Sequence, residues 1–125
     1  MSKILLLVTG GAIGTLLRYI VSAVSQKTFG YNFPWGTMIV NLSGCFLIGI
    51  AWALIEQHHT SFYFKLFLFT GIFGSYTTFS AFAIENVNLM RGEQIGLTLV
   101  NIFTTNILGL ALVFAGFYAV KLFTA

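Results

Sequence analysis

Thr37 and Asn41 lie four residues apart and would share one face of a helix that carried both. A hydroxyl and a side-chain amide on one face can donate hydrogen bonds to an anion that has shed part of its water, or can tie two helices together. Phe79 and Phe82, three residues apart, can align their rings along one side of a helix. Ring edges are slightly positive, so rings turned edge-on could stabilise a small dehydrated anion. Ordinary lipid or core packing would use the same residues. Thr98, Asn101 and Thr105 form another polar face, broadened by Thr104 and Asn106, which could line a path or hydrogen-bond between helices. Arg18 could supply a fixed positive charge that attracts anions without touching them, or could snorkel outward from an apolar span.

The elements that must position these residues are membrane helices. Six basic and three acidic residues among 125 leave long uncharged runs, Thr28 to Ile55, Leu66 to Ile84 and Gln94 to Val120. A first run, Ile4 to Leu17, continues past Arg18 to Gln26. A crossing takes about 20 residues, so four spans fit and five do not. The expected spans are Lys3 to Val24, Trp35 to Ile55, Phe64 to Val87 and Ile95 to Leu122, making one multi-pass α-helical membrane domain over residues 1–125. A composition 58% hydrophobic and 7% charged cannot clothe a water-soluble domain of this size.

Several function classes recede on the same inventory. Cys45 is the single cysteine, which removes an intrachain disulfide and any thiol-rich metal cluster. The basic residues are dispersed rather than striped, so nucleic acid is not an expected partner. There is no Asp, Glu93 falls in a connection, and Glu56 and Glu85 are expected near span ends. A proton-coupled exporter would usually place a carboxylate near the middle of the bilayer.

Four spans put both termini and the second connection on one side. Lys3, Lys65 and Lys121 then face Lys27 and Arg91, joined by Arg18 if the first helix opens on that side. So small a difference barely selects an orientation and makes an antiparallel pair of identical chains reasonable, against the alternative of one weakly preferred orientation. Gly10 and Gly14, and Gly71 and Ser75, form small-residue faces suited to close crossings within or between subunits. The stretch Gly71-Ile-Phe-Gly74-Ser-Tyr-Thr-Thr-Phe79-Ser-Ala-Phe82 is poor material for a continuous apolar helix. A break between Gly74 and Ser80 is expected, freeing carbonyls for a cation.

Three segments in order, Gly11-Ala-Ile-Gly14-Thr-Leu-Leu-Arg18-Tyr, Gly36-Thr-Met-Ile-Val-Asn41-Leu-Ser-Gly44 and Thr70 to Phe82, give the chain a close resemblance to the small bacterial fluoride channels. The resemblance covers essentially the whole length. It implies an antiparallel, dual-topology homodimer in the bacterial cytoplasmic membrane, surrounded by lipid, with two fluoride pores and a buried central sodium ion. It also implies passive fluoride export, which lowers internal toxicity, and no enzymatic activity. Phe79 and Phe82 match the paired pore phenylalanines, Asn41 the pore asparagine with Thr37 one turn before it, and Arg18 the basic residue near the aqueous entrance. Gly74 and Thr77 match the positions whose backbone carbonyls hold sodium, and Glu85 matches the carboxylate after the aromatic pair. Thr105 and Asn106, with Asn101, are placed on the pore wall. Ser75 stands where a second glycine is usual, and Ala81 where a Thr is frequent, which removes one hydroxyl. The competing readings are a small ion-coupled exporter and a non-transport membrane scaffold.

Overall fold

The first helix, α1 (Lys3–Phe29), is started by Ser2, whose Oγ accepts the Ile4 amide at 3.2 Å. It stops at Gly30, whose φ of 98° few residues other than glycine tolerate. The computed structural model describes residues 2–125. α1 outruns its expected end at Val24 because its turn-tolerant residues satisfy themselves inside the helix. Ser25 Oγ donates to the Val21 carbonyl at 2.7 Å and Thr28 Oγ1 to the Val24 carbonyl at 2.8 Å.

Gln26 fastens the short connection that follows. Its Nε2 donates to the Gly30 carbonyl and, at 2.9 Å, to that of Phe33, while its Oε1 accepts the Gly36 amide at 3.0 Å. Pro34 then precedes α2 (Trp35–Glu56), where a missing amide proton costs little. The Trp35 ring packs 4.8 Å from Phe33 and 5.5 Å from Phe29, an aromatic group at the end of both spans.

The third span, Phe62–Arg91, is segmented. A single turn, α3 (Phe62–Lys65), leads into a π-helix (Leu66–Phe73) and the short α4 (Gly74–Tyr76). Thr77 and Thr78 are extended, with ψ of 155° and 118°, before α5 (Phe79–Arg91) resumes. The break therefore falls inside the expected Gly74 to Ser80 window. The π-helix was not anticipated, since apolar periodicity over eight residues cannot separate a π-helix from an α-helix. A turn at Gly92 and Glu93 leads to α6 (Ile95–Thr124).

All four spans are long and apolar enough to cross a membrane. Their packing uses small residues where backbones touch. A Cβ on Gly10 would lie 2.8 Å from the Phe67 carbonyl oxygen, and one on Gly14 would collide with Ser75 Oγ and the Ile72 carbonyl. The two small-residue faces read from the sequence thus meet each other within one protomer, joining α1 to the third span. α2 and α6 pack along each other similarly, Gly49 against the Val113 carbonyl and Gly116 against that of Phe46. The residues this packing buries include Thr37, Asn86, Thr98 and Asn101, while large apolar side chains cover the outside, as suits lipid surroundings.

Candidate functional site

The extended pair Thr77 and Thr78 is the centre of the site, and Asn41 holds it. Asn41 Nδ2 donates to the Thr78 carbonyl at 3.0 Å and its Oδ1 accepts the Thr78 amide at 2.8 Å. The Asn41 side chain on α2 thereby supplies the acceptor that the break takes from the Thr78 amide and adds a second donor to a carbonyl that already opens α5. Thr78 is also the N-cap of α5, its Oγ1 accepting the Ala81 amide at 3.2 Å.

These bonds release acceptors on the other side of the break. The Thr78 amide is turned to Asn41 and away from the Gly74 carbonyl; the Ala81 amide is turned to Thr78 Oγ1 and away from the Thr77 carbonyl. Gly74 and Thr77 are the two positions matched to sodium by resemblance. Two carbonyls without helical donors, on an exposed Gly74 and a half-buried Thr77, suit the oxygen-ligand chemistry of a hard cation. The described residues contain no cluster of His, Cys, Asp and Glu able to hold a metal.

Two cavities flank Thr78. The smaller, ≈ 340 Å³, is lined by Asn41, Phe79, Phe82, Thr105 and Asn106 together with Thr78. Five residues from three spans, all selected from the sequence, thus converge on one space. The rings of Phe79 and Phe82 are 5.8 Å apart and inclined at 46°. Phe82 is buried, whereas Phe79 is 78% exposed on the isolated protomer. Asn41 Nδ2 carries a second proton beyond the one given to Thr78. Thr105 Oγ1 donates to Asn101 Oδ1 across 3.2 Å, a long bond for a hydroxyl, and Asn106 Nδ2 donates back to the Ile102 carbonyl at 2.7 Å.

The larger cavity, ≈ 1000 Å³, is open and holds Arg18, Thr37 and Glu85. Arg18 is eleven residues from the end of α1, about 16 Å along the axis, and so lies in the middle of the helix, away from the end where the shorter span had placed it. Thr37 Oγ1 donates to Glu85 Oε1 at 2.6 Å, the length of a charge-assisted bond. While that bond holds, the Thr37 proton is spent on the carboxylate, and Thr37 lines this wider cavity and not the ring-lined one that holds Asn41. Glu85 Oε2 is buried with no hydrogen-bond partner among the described residues. Glu85 is six residues from the end of α5, meets the first turn of α2 and borders the α1–α2 connection, so it sits toward one end of the third span, as expected.

Sequence reasoning missed two participants. Thr78 escaped because its role is made by backbone groups; its place as the first residue before an apolar helical run was the available signal. Asn86, whose Nδ2 donates to the Phe82 carbonyl at 2.9 Å, escaped because its partner is a backbone group; its position one turn after Phe82 was the signal.

Residues 5–117 match the family described as CrcB-like protein, Camphor Resistance (CrcB). The chain belongs to that CrcB family. Among its relatives, the fluoride-specific ion channel FluC of Parabacteroides distasonis is 47% identical over 116 residues, covering 93% of this chain and 91% of the relative. The protein of the same name from Agrobacterium fabrum is 43% identical, covering 93% and 94%, and that from Thermus thermophilus is 41% identical, covering 94% of each chain. The CrcB family match runs through the broken third span and both cavities, so the whole site lies within the matched region.

Proposed function

We propose that the protein is a fluoride-selective passive channel that exports fluoride across the bacterial cytoplasmic membrane. The observation that carries this reading is the clamped break. It directs the N-terminus of α5, with its partial positive charge, and the Asn41 amide toward a cavity walled by Phe79 and Phe82. Fluoride holds water strongly, so a path must replace that hydration, and amide protons, hydroxyls and ring edges do so without a fixed cation to trap the ion. Arg18 in the wider cavity raises the local anion concentration at the mouth. The name of the relatives, fluoride-specific ion channel, agrees. Protein reconstituted in sealed vesicles should carry fluoride down its gradient with the proton gradient collapsed. Obligatory exchange of a proton for each fluoride would replace the channel reading with the exporter.

The assembly proposed is an antiparallel homodimer. Phe79 and Gly74 are exposed on one protomer although they border the site, and a second copy would complete their surroundings. Basic residues at the two ends of the spans are nearly balanced, which lets the chain insert both ways. With Cys45 replaced by Ser, a single Cys at either terminus should react with an impermeant thiol reagent from both sides of sealed vesicles. Labelling from one side alone contradicts dual topology.

Sodium is proposed at the dimer centre, held by the Gly74 and Thr77 carbonyls of both copies, in a structural role. Its charge would offset the carbonyl dipoles freed by the break. Dimers stripped of sodium should lose activity and recover it with sodium more effectively than with potassium. Equal recovery with either ion would argue against the site.

A further inference from the structure

The buried amides of Asn86 and Asn101 are 5% and 1% exposed, and neither serves the clamp at Thr78. They form one hydrogen-bonded line across α5 and α6. Thr105 Oγ1 donates to Asn101 Oδ1 at 3.2 Å, Asn101 Nδ2 to Asn86 Oδ1 at 2.9 Å, and Asn86 Nδ2 to the Phe82 carbonyl at 2.9 Å. The line therefore begins at a hydroxyl bordering the ring-lined cavity and ends on the backbone of a ring that walls it. Each donor points the same way. A hydroxyl that turned toward an arriving anion would withdraw its proton from Asn101 Oδ1 and disturb the line from that end.

We infer that Asn86 and Asn101 are positioning residues for anion passage: they fix the α6 wall against α5 and hold Phe82 in register with Thr105. The inference rests on the channel reading. Simple helix pairing would bury the same amides but would set no requirement on anion flux once the helices were packed. Burial at a crossing in lipid restricts the alternatives of both side chains, so the line transmits a displacement of one wall to the other.

The test separates packing from positioning. Asn86→Leu or Asn101→Leu alone leaves one polar atom of the remaining buried amide without its partner and should reduce assembly. The double substitution removes both partners, a change that is often close to neutral for stability, and should restore the folded dimer. Flux per folded dimer in the double variant should nevertheless remain about tenfold below wild type, in the range by which residues without ligand contact alter coupling. Chloride rejection should weaken with it. Asn86→Gln, which keeps an amide at the crossing but displaces it by one methylene, supplies a second folded comparison and should also lower flux per dimer. Wild-type flux and selectivity per folded dimer in either of these variants overturns the inference. Absence of fluoride flux in the wild-type protein would overturn the channel reading itself.

Discussion

Replacing Phe79 or Phe82 by Ile should leave a folded dimer that passes fluoride on the order of 10- to 100-fold more slowly, equivalent to about 1.4–2.8 kcal/mol on the barrier. An Ile side chain remains apolar and fills much of the ring's space, but it has no positive edge to offer a dehydrated anion. The two positions should differ in their side effects. Phe82 is buried and its backbone accepts the Asn86 amide, so its replacement also perturbs packing within the protomer. Phe79 is exposed on the protomer, so its replacement leaves the protomer's own packing intact, and its effects fall on the ion and on pairing with the second copy. Size-exclusion chromatography of each variant beside a vesicle efflux assay separates the two. Undiminished flux in an assembled Phe79→Ile dimer would remove that ring from the path.

Asn41→Leu should have a different signature, loss of stability and flux together. The substitution strands the Thr78 amide in a part-buried site with no helical partner to return to, whereas the Thr78 carbonyl, at the N-cap of α5, keeps the first bond of that helix. One unsatisfied buried donor costs about 1–3 kcal/mol, and the break should be weakened by about that much. A thermal unfolding measurement in detergent should show a large downward shift, and any dimer that survives should carry little fluoride. A variant that melted like wild type and still conducted would show that the clamp serves neither role. The comparison with Phe79→Ile is informative because one substitution removes a contact to the ion and the other the scaffold beneath it.

How much of this was readable beforehand follows from the range of the interactions. The spans were legible because uncharged runs of the required length are a local property. The break was legible because Gly74, two threonines and Ser80 crowd one short segment of an apolar run. Asn41, Phe79 and Phe82 stood out as residues of unusual type or spacing, joined by a resemblance that covers the chain. Their partners did not stand out. Asn41 meets Thr78 across 37 positions and Thr37 meets Glu85 across 48, and helix rotation decides both pairings. The small-residue faces at Gly10 and Gly14 and at Gly71 and Ser75 were visible separately, but their meeting required the relative placement of two spans. Ser25 and Thr28 misled the boundary of α1 because back-bonded hydroxyls are tolerated in a long apolar helix.

The central claim is selective passage of fluoride by this chain alone. Purified protein in sealed vesicles loaded with equal fluoride and chloride, with an ionophore clamping the membrane potential, should release fluoride and retain chloride. Protein-free vesicles should retain both. Release of both ions at similar rates would contradict selectivity, and retention of both by vesicles containing folded dimer would contradict the channel.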